Sequence, residues 1–215
     1  MGYFIRVIKI ILIIVLPFFL LVRGAIHIHL LFDPGPWISL FAGVGFSSTI
    51  IFLYISIFKT KITRRFSSSL NQIKLLGFLS VGMVTLYCIY GLFFISSHNL
   101  QNAQLQREIT DLHPILRLGV STFTLMDKSL IITDASRVPE DYKRMGLPTK
   151  SSSLHYTQED GYAYAIDLRT NGRYEIRNFL MAMYFKIQGF QVMRHVGTDD
   201  HLHVSLKCHY KPYSK

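Results

Sequence analysis

Hydrophobic residues are concentrated in the first hundred positions of the chain, whereas the remainder alternates apolar and charged residues. Residues 37 to 58 and 75 to 96 each run for 22 residues without a charge. At 1.5 Å per residue, a helix of this length crosses the ~30 Å hydrocarbon layer of a bilayer. The pattern therefore predicts two membrane-spanning helices.

A third apolar segment, residues 10 to 22, is shorter; it lies between Lys9 and Arg23 and contains Pro17. A signal peptide is the alternative, but no small-residue cleavage site follows, and apolar character resumes at residues 25 to 32. We interpret the segment as an uncleaved span. The predicted organisation is a transmembrane region (1 to 97, with spans at about 10 to 31, 37 to 58 and 75 to 97), a linker (98 to 112) and a domain (113 to 215).

Basic residues near the span ends predict the orientation, because such residues are retained in the cytoplasm. Arg6 and Lys9 precede the first span, and residues 59 to 74 hold five bases and no acid. The N-terminus and this second loop are thus predicted to be inside. Three spans then place the C-terminal domain in the periplasm or outside the cell. The chain is thus predicted to be a multi-pass protein of the cell (inner) membrane, with the lipid bilayer as one partner.

The charge balance argues against nucleic acid as a partner. Of 23 Lys and Arg residues, eight precede residue 98 with a single acid, which leaves 15 bases and 12 acids in the remainder. Most of the excess that produces a pI of 9.7 therefore lies at membrane borders, where it orients the chain. Cys88 and Cys208 form neither a disulfide framework nor a thiolate zinc motif.

The C-terminal half has the pattern of a small α+β domain with an antiparallel sheet. Residues 122 to 126 and 130 to 136 are predicted to form the two strands of a hairpin, and Pro139 opens a short helix that Gly146 closes. Residues 162 to 168 alternate like a strand. Further strands are predicted at 190 to 196 and 201 to 207.

One segment of this half has helical rather than strand periodicity. Its apolar residues recur three or four positions apart before Gly189, which predicts an amphipathic helix; they are Ile176, Phe179, Leu180, Met183 and Ile187.

Imidazole and carboxylate side chains are concentrated at loop-to-strand junctions of the domain, and this concentration indicates a metal site. The residues are His155, Asp167, His201 and His203, with Asp199 and Asp200 beside them. Alternate residues of a strand point the same way, so His201 and His203 can reach one site. A mixture of histidine and carboxylate ligands suits Zn²⁺.

The sequence around these residues resembles that of a known superfamily. SSLHY, followed by GYAYAIDL and then HLHVSLK, is similar to the pattern of D-alanyl-D-alanine metallopeptidases, murein endopeptidases and the Hedgehog signalling domain. In that pattern, S-x-H-x-x-G-x-A-x-D supplies a histidine and an aspartate to zinc, and a later H or H-x-H supplies the last histidine. The resemblance covers about residues 113 to 208 and none of the membrane half.

The resemblance implies zinc ligands and catalytic roles for particular residues. It implies His155, Asp167 and His203 as the zinc ligands, and Asp200 as a general base that takes a proton from the attacking water, with Asp199 as the alternative. It also implies that His201 is a catalytic histidine beside the metal and that Arg137 binds the substrate carbonyl or carboxylate. A surface arginine in a turn is the other interpretation of Arg137.

The sequence departs from the family pattern between the first two ligands. About five extra residues, in the run YTQEDG, separate His155 from Asp167. Either a surface loop bulges between the ligands, which costs little, or Glu159 or Asp160 replaces Asp167. The strand ending A-I-D-L favours Asp167.

Two functions remain from different classes. The leading prediction is a membrane-tethered zinc peptidase that cleaves cell-wall stem peptides as a D,D- or L,D-carboxypeptidase or endopeptidase. The alternative is a non-catalytic, Hedgehog-like binding or signalling module that keeps zinc for structure. An outward sensor is a third possibility, but no cytoplasmic effector is visible in the sequence.

Overall fold

The computed structural model describes residues 2–63, 70–144, 146, 148, 153–197 and 200–208. The chain divides into two compact units, Met1–Tyr90 and Gly91–Lys215.

The first unit consists of long apolar helices: α1 (Gly2–Phe32), α2 (Pro36–Thr63) and α3 (Leu70–Phe93), whose last residues enter the second unit. Each contains a stretch long and apolar enough to cross a membrane, at Val15–Phe32, Pro36–Ile57 and Leu70–Phe93. The three helices predicted from hydropathy are therefore confirmed as helices of spanning length. Arg64 and Arg65 of the basic second loop lie outside the described residues.

Small residues allow α1 and α2 to pack closely after the turn that joins them. A Cβ atom on Gly43 would lie 2.5 Å from the carbonyl oxygen of Leu21, so only glycine fits there. The Ser47 hydroxyl donates a 2.8 Å hydrogen bond to the carbonyl oxygen of Pro17. This bond links α2 to α1 at the helical turn that contains Pro17.

The second unit combines short helices with one small sheet. Its helices are α4 (Leu105–Glu108), α5 (Pro114–Met126), α6 (Pro139–Arg144) and α7 (Glu175–Gln188), and its strands are β1 (Ile132–Asp134), β2 (Ala165–Arg169), β3 (Gln191–His195) and β4 (His201–Ser205). The strand order is β1-β2-β4-β3, and every pairing is antiparallel. The predicted α+β class with an antiparallel sheet agrees with this arrangement.

The sheet has one apolar face and one polar face. Ile166 pairs with Val204 and Leu168 with Leu202, and these four side chains are buried. Because successive residues of a strand point to opposite faces, the intervening pairs face the other side; they are Asp167 with His203 and Arg169 with His201. The apolar core therefore lies on one side of the sheet, and the histidine and aspartate side chains lie on the other.

The predicted hairpin is wrong in its first strand. Residues 122 to 126 form the last turns of α5, and only Ile132–Asp134 of the second segment is a strand. Pro114 opens this helix, and the His113 ring accepts a hydrogen bond from the backbone N–H of Ile115. β-branched residues such as Thr122 suggest a strand, but burial of one helical face outweighs their propensity.

Residues 98 to 112, predicted as a linker, are folded into the second unit. Leu105 and Ile109 are buried, and Leu100 and Leu112 form single bridges to Ile132 and Ala163. The segment therefore contributes to the core of the unit.

The predicted amphipathic helix is present as α7, and it ends where the sequence indicated. Gly189 has a φ of 106° and its N–H donates to the carbonyl oxygens of Phe185 and Lys186, a left-handed cap that favours glycine. The stripe of apolar residues that predicted the helix does not, however, face the core. The buried side chains of α7 are Asn178, Met181, Phe185 and Gln188.

Candidate metal centre

Three side chains from distant parts of the chain converge on the polar face of the sheet. The Nδ1 atom of His203 lies 2.9 Å from Oδ1 of Asp167, and Nε2 of His155 lies 3.3 Å from that Nδ1 and 3.4 Å from the same Oδ1. His155 and Asp167 are buried, and His203 is partly exposed. This group could hold a metal ion.

Strand pairing and a compact loop bring the three residues together. Asp167 on β2 is directly opposite His203 on β4. His155 approaches from the preceding loop, where the N–H of Gln158 donates to the carbonyl of Tyr162 and Gly161 adopts a φ of 85°. This tight turn accommodates the extra residues of the loop.

Asp160, an acid of that loop, has other contacts. Asp160 accepts hydrogen bonds from the Tyr164 hydroxyl at 2.7 Å and from the backbone N–H of Tyr162. Of Glu159, Asp160 and Asp167, it is Asp167 that joins the two histidines.

The carbonyl oxygen of Ala135 orients the His155 ring. It lies 2.6 Å from Nδ1 of His155 and can only accept a hydrogen bond, so Nδ1 carries a proton and is the donor. Nε2 is therefore the ring nitrogen that faces His203 and Asp167, and it is the one that could bind a cation. A histidine oriented by a backbone carbonyl through its second nitrogen is typical of metal ligands.

The geometry of the triplet fits a small transition-metal ion. Zinc bonds to imidazole nitrogen and carboxylate oxygen are about 2.0–2.2 Å, so neighbouring ligands of a tetrahedral ion lie roughly 3.3–3.5 Å apart. The separations of 3.3 and 3.4 Å match that edge, and the separation of 2.9 Å is slightly shorter. Two imidazoles and one carboxylate also form a donor set that zinc prefers.

Arg137 binds the carboxylate of the triplet. Its Nη2 donates to Oδ2 of Asp167 at 3.0 Å, and its Nε donates to Oδ2 of Asp134 at 2.5 Å. Burial raises the pKa of Asp134, and the neighbouring Asp167 adds to the rise, although Arg137 opposes both effects. Arg137 thus lies between two acids and holds one of them in position.

The pKa of Asp167 is far below its ordinary value. Burial alone would raise this pKa, but hydrogen bonds from His155 and His203, with the nearby histidine charges, outweigh burial. Asp167 is therefore an ionised carboxylate, the form in which it can bind a cation.

Two further histidines lie beside the triplet on the same face. His201 is partly exposed, and its Nε2 is 3.7 Å from Oδ2 of Asp167. The ring of His195, on β3, stacks on His201 with centroids 4.9 Å apart and lies 6.1 Å from the His203 ring. An imidazole is thus available at the open side of the candidate site.

Asp200 has contacts of a different kind. Its Oδ1 accepts a 2.6 Å hydrogen bond from the Thr170 hydroxyl, and its Oδ2 lies 2.9 Å from Nη2 of Arg194. These hydrogen bonds, from Arg194 first and Thr170 second, lower the pKa of Asp200 to about 2. Arg194 pairs in the sheet with Leu202, so its side chain lies on the face opposite to that of His201 and His203. The role of Asp200 as general base stays a prediction, and its contacts favour a structural role; Asp199, the alternative, lies outside the described residues.

Three contributors to the site were not predicted from the sequence. They are the Ala135 carbonyl, Asp134 and His195. Only His195 had a detectable signal, because it lies on the strand that precedes H-x-H with the same alternation. A backbone carbonyl leaves no mark in the sequence.

A polar cavity of about 230 Å³ adjoins this site through Arg137. Glu108, Asp134 and Arg144 also line it. Burial, followed by the nearby Asp134, raises the pKa of Glu108. The cavity therefore offers both acidic and basic groups to a polar ligand.

Comparisons of this chain with protein-family models, with curated proteins and with solved structures find no match.

Proposed function

We propose that this protein is a membrane-anchored zinc metallopeptidase that faces away from the cytoplasm and hydrolyses peptide bonds of cell-wall stem peptides. The observation that carries the proposal is the convergence of His155, Asp167 and His203, whose candidate ligand atoms lie 2.9 to 3.4 Å from one another. Two of these residues are separated by an unusual loop in the sequence, yet all three meet on one face of the sheet. The resemblance to D-alanyl-D-alanine metallopeptidases supplies the reaction and the substrate class.

The donor set supports zinc as the metal. His155, Asp167 and His203 would hold the ion and leave a coordination position for water or substrate. When bound, zinc would supply Lewis acidity, which polarises a carbonyl group and increases the acidity of water.

The chain's own residues would orient the ligands and transfer the proton. Ala135 fixes the tautomer of His155, and Arg137 binds the outer oxygen of Asp167. His201 lies on the exposed side of the triplet, where its imidazole could accept a proton from water and return it to a leaving amine. We therefore propose His201 as the acid–base group and Arg137 as a positioning residue.

The adjoining cavity supports a peptide substrate. Its lining combines Arg137 and Arg144 with Glu108 and Asp134, so it presents partners for both a carboxylate and an amine. A stem peptide carries both groups.

A binding module that keeps metal for structure is the second candidate, and one observation favours it. Asp200, which the family resemblance implies as the general base, is engaged by Arg194 and Thr170. In this alternative the same three ligands would hold the metal, but peptide would not be hydrolysed.

Hydrolysis by the full chain distinguishes the two candidates. The full chain of 215 residues in nanodiscs, loaded with Zn²⁺, is incubated with a muropeptide mixture, and products are identified by mass. We expect the wild type to cleave peptide bonds, His203→Ala and a chelated sample to be inactive, and His201→Ala to retain metal while turnover falls about 10²-fold or more. His98→Ala, which removes an exposed histidine, is the matched control and should behave like the wild type.

Absence of cleavage by the zinc-loaded wild type would contradict the peptidase proposal and favour the binding module. Undiminished cleavage by His201→Ala would support the peptidase proposal but contradict the acid–base role of His201, which would then belong to another group.

The outward location has its own test. Basic residues before the first span and in the second loop predict that a reporter fused after Lys215 is active only outside the cytoplasm. A reporter active in the cytoplasm would make cell-wall chemistry untenable.

A further inference from the structure

Helix α7 presents a continuous apolar stripe to the outside of its unit. The exposed fractions are 62% for Ile176, 58% for Phe179, 56% for Leu180, 36% for Met183 and 53% for Ile187. Residues three and four apart are neighbours on a helix surface, so these side chains form one surface. We call it the outer face of α7.

The outer face is too apolar for a surface that remains in water. Five large apolar side chains lie side by side, and Tyr174, just before the helix, is 77% exposed. Contiguous apolar patches of more than a few hundred Å² on soluble domains mark interaction sites. The helix does not need these residues for its own core, because Met181 and Phe185 fill that role on the other side.

Basic residues border the outer face on both sides. At 100° per residue, Arg177 lies beyond Leu180 on one flank, and Lys186 lies beside Phe179 on the other. Both are exposed. The one acid of the helix, Glu175, is paired with Arg194 at 2.6 Å.

This distribution matches a helix that lies in the plane of a membrane surface. Such helices bury a stripe of aliphatic and aromatic residues at the boundary of headgroups and acyl chains. Long basic side chains on the flanks extend towards anionic headgroups. A protein partner would not require positive charge along both borders.

Chain connectivity provides a nearby bilayer. Helix α3, which is long and apolar enough to cross a membrane, ends at Phe93, and the next helical turn begins at Ser97. The three residues between them extend no further than about 10 Å. A domain tethered so closely meets the lipid surface at high effective concentration, so a modest apolar contact suffices to dock it.

We propose that the outer face of α7 docks on the lipid bilayer, with its apolar side chains at the acyl boundary and Arg177 and Lys186 at anionic headgroups. The proposal requires α3 to cross the membrane and is independent of the peptidase chemistry. Docking would hold the second unit in one orientation on the surface of the bilayer.

Depth-dependent fluorescence quenching in the full chain tests the proposal. In a background with Cys88→Ala and Cys208→Ala, an environment-sensitive fluorophore is attached to Leu180→Cys or, as control, to Lys143→Cys at an exposed position of α6. Nanodiscs that hold one chain each are prepared from phosphatidylcholine and phosphatidylglycerol with or without doxyl-labelled lipid. We expect doxyl lipid to quench the label at position 180 at least twofold more than the label at 143.

Equal quenching at the two positions would overturn the proposal. The proposal would also be overturned if the label at position 180 were shielded from its surroundings only in discs that hold two chains. A second copy of the chain, rather than lipid, would then cover the outer face of α7. Hydrogen exchange of the β4 amides, measured in parallel on each labelled protein, reports that the second unit is folded.

Charge reversal tests the contribution of the flanks. The double variant Arg177→Glu with Lys186→Glu should reduce quenching at position 180 in anionic discs, whereas Arg177→Lys with Lys186→Arg should preserve it. Lys143→Glu changes charge outside the helix and is the matched control. Unchanged quenching in the charge-reversed protein would overturn the assignment of these two residues to headgroups.

Discussion

Arg137 binds one of the two carboxylate oxygens of Asp167 and leaves the other oxygen facing the histidines of the candidate site. Oδ2 of Asp167 accepts a 3.0 Å hydrogen bond from Nη2 of Arg137, while Oδ1 lies 2.9 Å from Nδ1 of His203. Arg137 therefore binds one oxygen, and the other faces the two histidines and the position that a metal ion could occupy. Partners of this kind orient metal ligands and tune their affinity.

Removal of Arg137 should weaken metal binding. We expect Arg137→Ala to lower zinc affinity about 10- to 100-fold, because Asp167 loses the group that orients it. Arg137→Lys keeps the charge but not the planar fork, so its affinity should lie between the two. Affinity is measured by competition with a chromogenic chelator on the full chain in nanodiscs. Arg144→Ala, at a 67% exposed side chain, is the control; unchanged affinity in Arg137→Ala, with turnover alone reduced, would instead support a role on the substrate.

Removal of a ligand should have a larger effect than removal of its orienting partner. The full chain is expected to hold about one Zn²⁺, and His155→Ala or His203→Ala should lose most of it, since each leaves only two protein ligands. His98→Ala should retain the metal. Metal content by mass spectrometry after gel filtration provides the measurement, and full zinc occupancy in both ligand variants would rule out this centre.

Asp200→Asn distinguishes a structural carboxylate from a general base. The hydrogen bonds from Arg194 and Thr170 favour the ionised form, so we expect Asn to retain zinc, lower the Tm and reduce turnover less than about 10-fold. The folded pKa of about 2 is below the ordinary value of about 3.9, so this stabilisation is present above pH ~4 and lost as pH falls through 2. The Tm difference between wild type and variant should therefore narrow over that interval. A 10²-fold loss of turnover with an unchanged Tm would restore Asp200 as the base.

Local patterns in the sequence predict much of this fold. Hydropathy predicts α1, α2 and α3 because burial in lipid requires long runs without charge. Gly189 marks the end of α7 because a left-handed cap favours glycine. The group of His155, Asp167 and His203 came from the resemblance to a known motif, and the structure brings these residues together.

Features that depend on tertiary contacts could not be predicted in this way. The end of α5, with Thr122, has strand-like propensity, and only packing selects the helix. The contacts of Arg137 and Asp200 depend on residues about 30 positions away in the sequence, which only the folded chain brings beside them. The apolar stripe of α7 gave the correct helix, but periodicity does not reveal whether a stripe faces a core or a membrane.

The two phenylalanines of α7 separate these possibilities. Phe185 is fully buried, with ring centroids 5.6 Å from Phe123 and 5.8 Å from Phe190, whereas Phe179 is 58% exposed. Phe185→Ala should destabilise the second unit by about 3–5 kcal/mol, the cost of a large cavity in a core. Phe179→Ala makes the same change in the same helix and should cost about 0.5 kcal/mol or less. Hydrogen exchange of the β4 amides in the full chain in detergent measures both values. Equal losses in the two variants would mean that the outer face of α7 is packed within the protein, and they would contradict its assignment to the membrane surface.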